Sequence, residues 1–294
     1  MRLTLAFASL LASTSLATAD VKVIASIKPI HSLVASVMQG VGTPDLIVSG
    51  SNSPHTYSLK PSDAEALQNA EVIFWVGPEL EAFLQKPLEA LGQNATQVSL
   101  IHAKGVQTLV SRKGIGFDAE DDQGEIDVHI WLDPENAKAI LNTVAQILSS
   151  ADKANAVTYE TNAEKAVASI DTLSAEITTT IAPVKGKGFI VFHDAYHYFE
   201  NRFGVKASGA ISINPENSPG AQGIAALQER IADGKVRCVF AEPQFDNKLV
   251  NLIIEGSNVK SAILDPEGAN IDPGPALYGT VLRNMAKSLQ QCLQ

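Results

Sequence analysis

Near the middle of the chain, residues 155–181 read NAVTYETNAEKAVASIDTLSAEITTTI. It contains neither Gly nor Pro, and its apolar residues recur at spacings of three and four, as on one face of an α-helix. These apolar residues are Ala163, Ala166, Val167, Ile170, Leu173, Ile177 and Ile181. The following Pro183 and Gly186 are stop signals. We therefore predict one long helix near the middle of the chain, roughly 40 Å in length.

Short β-branched and apolar runs lie on both sides of this helix: 21–27, 46–48, 72–76, 189–192, 236–241 and 262–264. Such runs between helical stretches are typical of parallel sheets. We predict an α/β fold with two lobes, each a mostly parallel sheet flanked by helices, joined by one long backbone helix. The expected bounds are 20–150 for the N-terminal lobe, 151–185 for the linking helix and 186–294 for the C-terminal lobe. A stiff linking helix predicts little movement between the lobes.

Residues 1–19 have the features of a secretory signal peptide, with Arg2, an apolar run at 3–11 and small residues up to Ala19. The apolar run is too short to span a bilayer, and no later stretch of about 18 apolar residues exists. Neither cysteine lies beside the expected cleavage site, where a lipid anchor requires one. We therefore expect a periplasmic protein that is neither inserted in the membrane nor anchored to it.

The two cysteines, Cys238 and Cys292, are predicted to form a disulfide, because the periplasm is oxidising. Metal ligation by these thiols is the alternative.

The net charge of −10 argues against nucleic acid and anionic membranes as partners, since phosphate binding needs basic patches. The same charge is compatible with attraction of a divalent cation. We expect the protein to be a monomer.

Four potential metal ligands lie at the ends of predicted elements, where open α/β sheets bind their ligands. His55 and His129 belong to the N-terminal lobe, and His193 and Asp265 each directly follow a predicted strand of the C-terminal lobe. Three imidazoles and a carboxylate suit Zn²⁺, whereas a site dominated by carboxylates favours Mn²⁺. The sequence therefore predicts a zinc site between the lobes.

Two further carboxylates of the C-terminal lobe are candidates to support this site. Glu242 directly follows the run at 236–241, and we expect it either to orient a ligand imidazole or to bind a water; a solvated strand end is the alternative. Asp194 either supports the site or starts the next helix. His197, four residues after His193, pairs with it on one metal only if both lie on a helix. We interpret His31 as structural and His102 as a surface residue.

Four motifs make the sequence recognisable: SPHTYSLKPSDAEALQNAEVIFWVGPELEAFLQKP from residue 53, VHIWLDPENA from 128, FIVFHDAYHYFE from 189 and CVFAEPQF from 238. They closely resemble the periplasmic zinc-binding proteins of high-affinity zinc ABC importers, the ZnuA-like family of solute-binding proteins (cluster A-I). The resemblance covers nearly the whole chain after the leader and implies two lobes with zinc at their interface. It also implies a binding protein, not an enzyme, that delivers Zn²⁺ to a membrane permease.

The resemblance implies that the family's ligands fall on His55, His129 and His193, with Asp265 as fourth ligand, and that Cys238 and Cys292 match a disulfide of some members. A histidine at position 193 supports zinc, because related manganese binders often have a carboxylate there.

The chain departs from the family pattern in two places. Pro54 occupies the position at which some members have an extra glutamate ligand, so Asp265, water or both complete the site. Residues 111–127 form a short acidic stretch where many members have a long histidine-rich loop, and we expect this stretch to be a mobile surface loop.

Three alternative functions are compatible with the same residues. A zinc-dependent hydrolase would use the three histidines and a metal-bound water, with Glu242 as base. A manganese-binding homologue would share the fold and differ in its cargo. A surface adhesin of the same fold is disfavoured, because the chain lacks a cysteine for lipid attachment.

Overall fold

The computed structural model describes residues 21–117, 124–213, 215 and 219–294. The predicted signal peptide, residues 1–19, lies outside these residues, as does the 118–123 part of the acidic stretch. Among the helices that the structure describes, none combines the length and the apolar character that a membrane crossing requires.

The N-terminal lobe is built on a four-stranded parallel sheet. Its elements are β1 (Val23–Ile27), α1 (Lys28–Val37), β2 (Asp45–Val48), α2 (Pro61–Asn69), β3 (Val72–Trp75), α3 (Ala82–Leu91), β4 (Thr96–Ser99) and α4 (Pro134–Ala151), with 3-10 turns at Leu100–His102 and Ile130–Leu132. The strand order is β2-β1-β3-β4. The central strands β1 and β3 are fully buried, as expected for strands covered by helices on both faces.

One long helix, α5 (Ala156–Ile181), joins the two lobes and contains 26 residues. This confirms the predicted backbone helix. Its buried side chains are Tyr159, Ala163, Ile170, Leu173, Ile177 and Ile181. A single apolar cluster contains these side chains together with residues of both sheets, so the helix packs against the core of each lobe. A 3-10 turn at Ala182–Val184 follows it.

The C-terminal lobe repeats the architecture of the first. Its elements are β5 (Gly188–His193), α6 (His197–Phe203), β6 (Gly209–Ser212), α7 (Ala221–Ala232), β7 (Val236–Ala241), α8 (Lys248–Ile254), β8 (Lys260–Ile263) and α9 (Leu277–Leu293). Its four parallel strands have the order β6-β5-β7-β8. The predicted fold class, two α/β lobes with mostly parallel sheets, is confirmed.

A disulfide joins Cys238 on β7 to Cys292 near the end of α9, as predicted. It fixes the last helix to the second sheet across a sequence separation of 54 residues. A cross-link over this distance constrains the unfolded chain and stabilises the fold by about 4 kcal/mol in the loop-entropy model.

A segment of the N-terminal lobe crosses onto the C-terminal lobe, and we call its described residues, 109–117 and 124–128, the strap. Its two legs pair in antiparallel fashion around the bridge between Val110 and Ile126. The Asp127 N–H donates to the carbonyl of Leu109 at 2.8 Å. The legs therefore hold each other in register over the described residues.

The strap covers the outer edge of the second sheet, at β6. Ala210 in this strand donates its backbone N–H to the carbonyl of Ile115 at 2.9 Å. A side chain at Gly209 would place its Cβ 2.6 Å from the same carbonyl oxygen. The close approach of the strap therefore requires glycine at position 209.

Candidate metal centre

Three histidines converge at the boundary between the lobes. The Nε2 atom of His129 lies 3.3 Å from Nε2 of His55 and 3.3 Å from Nε2 of His193. In the part of the chain that the structure describes, these residues form the one group of at least three His, Cys, Asp or Glu residues whose possible ligand atoms all lie within 4.8 Å of one another. We call this group the three-histidine cluster.

Different elements supply the three imidazoles. His55 lies in the loop between β2 and α2, and His129 directly precedes the 3-10 turn at Ile130–Leu132. His193 is the last residue of β5, at the carboxyl edge of the second sheet. These histidines were predicted to lie at the ends of elements that face one crevice, and the structure brings all three together.

Glu242 holds His193. Its two carboxylate oxygens lie 2.8 and 2.7 Å from Nδ1 of His193, and both residues are almost fully buried. Glu242 directly follows β7, the strand beside β5, so the sheet itself brings the two side chains together. Donation from Nδ1–H to the carboxylate leaves the lone pair of Nε2 facing the cluster.

Asp127 holds His129 in the same way. Its Oδ1 lies 2.8 Å from Nδ1 of His129 and also accepts the His129 backbone N–H at 3.0 Å. Only 3% of Asp127 is exposed. The expectation that residues 111–127 form a mobile surface loop is therefore wrong at Asp127, which is buried. Its position two residues before the histidine, in DVH, was the signal available in the sequence.

His55 is held less firmly than the other two histidines. It is partly exposed on a loop, and its backbone N–H donates to Oγ of Ser53 at 3.3 Å. Within the described residues, neither the hydrogen bonds nor the ion pairs of His55 involve a carboxylate. Its ring is therefore oriented mainly by its neighbours in the cluster.

Burial and neighbouring charges shift the titration of the cluster. Burial is the main cause that lowers the pKa of His55 and of His129 well below the usual histidine value, and the neighbouring imidazoles add to it. Burial also acts to lower the pKa of His193, but the carboxylates of Glu242, Asp194 and Asp127 together outweigh it and raise that pKa overall. Burial raises the pKa of Asp127 to about 7. Near neutral pH, His55 and His129 are therefore neutral and able to bind a metal.

Asp265 does not belong to the three-histidine cluster. Its Oδ1 accepts hydrogen bonds from Nε2 of Gln244 and from the backbone N–H groups of Glu267 and Gly268, at 2.9 to 3.1 Å. Its Oδ2 accepts from the N–H of Ala269 at 2.7 Å. Asp265 would have to give up bonds of this turn to reach a metal, and its role as a fourth ligand stays a prediction.

The turn after Asp265 is fixed to the opposite lobe by Lys28. The Lys28 ammonium group donates to the carbonyls of Gly268, Ala269 and Ile271, at 3.0, 2.7 and 3.1 Å. Lys28 is the first residue of α1, so these bonds cross between the lobes. They limit how far the two sides of the cleft can separate without breaking buried hydrogen bonds.

Asp194 directly follows His193 but does not belong to the three-histidine cluster. Its carboxylate pairs with the guanidinium group of Arg112, which also binds Glu200 at 2.8 Å. Arg112 has no local signal in the sequence, because it lies 82 and 88 residues along the chain from Asp194 and Glu200. Support of the site by Asp194 stays a prediction.

The other three histidines lie outside the cluster. Nε2 of the buried His31 lies 3.0 Å from the carbonyl of Pro44, and His102 is largely exposed. His197 begins α6, and its Nδ1 lies 3.8 Å from Oδ2 of Asp127. Because His193 still belongs to β5, these two histidines do not share a helix, and the structure gives no support to their pairing on one metal.

Fold and site together define a class of protein. Two α/β lobes on a helical spine, with three converging imidazoles at their boundary, make a metal-binding protein whose cargo is held between its lobes. Nitrogen donors of this kind suit Zn²⁺, and three of them leave one tetrahedral position for a further ligand.

Comparison with known proteins agrees with this assignment to the metal-binding proteins. The model of the ZnuA family, zinc-uptake complex component A, periplasmic, matches residues 23–292. The chain belongs to this family. The high-affinity zinc uptake system protein ZnuA of Brucella abortus (strain 2308) is 44% identical, over 98% of this chain and 96% of its own length. The protein of the same name from Yersinia pestis is 34% identical, over 94% and 92%. A crystal structure of ZnuA, 25% identical, superposes with a TM-score of 0.80 over 94% of this chain and 100% of that one.

Proposed function

We propose that this chain captures one Zn²⁺ ion in the periplasm and delivers it to the membrane permease of an ABC importer. The observation that carries the proposal is the convergence of three Nε2 atoms within 4.8 Å of one another at the lobe boundary. The names of the relatives, which describe high-affinity zinc uptake, support zinc as the cargo and import as the purpose.

In this proposal His55, His129 and His193 are the protein's nitrogen ligands to zinc. Zinc accepts nitrogen ligands at tetrahedral corners, and Mn²⁺ favours oxygen-rich sites. Glu242 and Asp127 bind the far side of two of these rings, so they orient the imidazoles and place negative charge near the cation. Water or Asp265 takes the remaining position.

Delivery requires that the bound ion can also leave. The bonds of Lys28 across the cleft and the single helix α5 both oppose a wide separation of the lobes. Release on a permease therefore proceeds by local movement at the cluster, and His55 is the ligand that moves first, because it lies on a loop and is partly exposed.

A competition titration tests this proposal. The metal-free protein is titrated with Zn²⁺ and, separately, with Mn²⁺ by calorimetry in the presence of a chelator of known affinity. We expect one tightly bound Zn²⁺ per chain and much weaker binding of Mn²⁺. Equal or stronger binding of Mn²⁺ would overturn the assignment of the cargo, and the absence of a tight site would overturn the function.

The hydrolase alternative has its own test. The zinc-loaded protein is incubated with an activated ester, and turnover is compared between the wild type and His129→Ala. We expect no turnover above that of free Zn²⁺ in either protein. Turnover in the wild type that is lost in the variant would favour the hydrolase.

A further inference from the structure

One hydroxyl group of the C-terminal lobe forms hydrogen bonds with both legs of the strap. Tyr198, on α6, is 2% exposed, and its hydroxyl donates to the backbone carbonyl of Asp127 at 2.7 Å. The hydroxyl oxygen of Tyr198 also accepts a hydrogen bond from the backbone N–H of Leu109 at 2.9 Å. Leu109 and Asp127 belong to opposite legs of the strap, so this single hydroxyl binds both legs at once.

A network of buried ion pairs also binds the strap to the C-terminal lobe. Arg112, in the first leg, pairs with Asp194 and Glu200 of the C-terminal lobe, and its guanidinium group lies 3.7 Å from the ring centre of Phe117, also in the strap. Both carboxylate side chains are only 4% exposed. Removal of Arg112 would leave two buried carboxylates without this partner, so substitution of Arg112 threatens folding.

The second leg of the strap leads directly to the three-histidine cluster. The carbonyl group of Asp127 is bound by Tyr198, and the carboxylate of Asp127 is bound by His129. His129 lies in the N-terminal lobe, but the residue that orients its ring is held by a helix of the C-terminal lobe. Two hydrogen bonds thus connect α6 to the imidazole.

We propose that Tyr198 is a positioning residue for His129, and that it acts through Asp127. The inference rests on the proposed function, because it takes His129 as a zinc ligand. Tyr198 fixes the peptide unit of Asp127, and this peptide unit sets the direction from which the carboxylate meets Nδ1 of His129. The C-terminal lobe therefore supplies His193 directly and sets the orientation of His129 as well.

The test compares two buried tyrosines, each of which donates one hydrogen bond through its hydroxyl group. Tyr198→Phe removes the hydroxyl that binds the strap. Tyr159→Phe is the matched control, because the Tyr159 ring is fully buried on α5 and its hydroxyl donates to Asp152 at 3.0 Å, away from the cluster. Each variant replaces one hydroxyl by hydrogen, and we expect both metal-free proteins to fold and to melt at slightly lower temperatures than the wild type.

Only Tyr198→Phe is expected to change the metal centre. Its affinity for Zn²⁺ should fall by about tenfold, the lower end of the range for residues that orient a metal ligand. The visible spectrum of bound Co²⁺ should also change, because this spectrum reports the geometry of the ligands. Zinc affinity within twofold of the wild type together with an unchanged Co²⁺ spectrum would overturn the inference, as would equal loss of affinity in Tyr159→Phe.

A double-mutant cycle tests whether the effect passes through Asp127. If it does, Tyr198→Phe weakens zinc binding in the wild type but adds little loss to Asp127→Ala, which lacks the side-chain oxygen that binds Nδ1 of His129. Equal losses in both backgrounds would show that Tyr198 acts by another route and would overturn the inference. His129→Ala separates the two proposals: unchanged zinc binding in that variant contradicts the proposed function, whatever Tyr198→Phe does.

Discussion

The cluster combines two firmly held histidines with one that is loosely held. His129 and His193 are buried, and each donates from Nδ1 to a buried carboxylate. His55 is partly exposed on a loop, and its backbone is held by Ser53. One site can in this way both bind zinc tightly and release it. The buried pair is oriented before the metal arrives, which favours affinity, while the loop histidine can move, which favours exchange.

The largest effect expected from this comparison is the loss of a held ligand. An apparent zinc binding energy of roughly 12 kcal/mol shared by three ligands gives about 4 kcal/mol each, so His193→Ala should weaken binding near a thousandfold. The loss of zinc affinity in His55→Ala should be about tenfold smaller than in His193→Ala, because ordering a partly exposed loop side chain offsets part of its contribution. Chelator competition measures both, with the exposed His102→Ala as control. Equal losses of zinc affinity in the two variants would contradict the distinction between firmly and loosely held histidines.

Acid should act first on His193. The raised pKa of this imidazole means that it binds a proton at a higher pH than His55 or His129, whose pKa values are lowered. A proton on Nε2 excludes zinc, so affinity should fall by roughly tenfold for each unit below the pKa of His193. Zinc affinity measured from pH 8 to pH 5 tests this. In Glu242→Gln the decline should begin at lower pH; a profile independent of this substitution contradicts the assignment.

The carboxylates that hold the buried pair should have a smaller effect than the ligands. Glu242→Gln keeps an oxygen that can accept from Nδ1 of His193 but removes the charge, so zinc affinity near pH 8 should fall by about tenfold. Glu255→Gln, at an exposed position of the same lobe, is the matched control and should bind as the wild type does. An unchanged affinity in Glu242→Gln would mean that the negative charge of Glu242 contributes nothing to zinc binding.

The smallest effect is expected at Asp265. Whether or not it reaches the metal, its net contribution is limited, because coordination disrupts hydrogen bonds that now stabilise its own turn. Asp265→Asn should lower zinc affinity by less than about tenfold and lower the melting temperature of the metal-free protein by a few degrees. A hundredfold loss of affinity would instead place Asp265 among the principal ligands.

Much of the fold follows from the sequence, because the decisive patterns are local. The apolar stripe of 155–181 specifies α5 without reference to the rest of the chain. The buried strands are apolar runs, and the residues at their ends are polar. The position of His193 beside Glu242, at the carboxyl edge of the second sheet, then follows from the rule that parallel strands present their carboxyl ends together.

The missed features depend on contacts between distant parts of the chain. The edge strands β4 (Thr96–Ser99) and β6 (Gly209–Ser212) are short and lack a long apolar run, so pairing with a neighbour defines them. Asp127 resembled one more charge in an acidic stretch, and only the strap, fastened by Tyr198 and Arg112, buries it. Charge patterns in a sequence describe solvation well but do not show which charge a tertiary contact removes from water.

The strap at the edge of the second sheet also bears on how the protein behaves at high concentration. An uncovered strand edge is a template on which other chains can add strands and aggregate. The apolar edge strand β6 is fully buried, and the strap binds to it through Ala210. The opposite edge, β8, is exposed but only four residues long and begins with Lys260, which repels such pairing. The segment that orients a metal ligand thus also protects the lobe against edge-to-edge association.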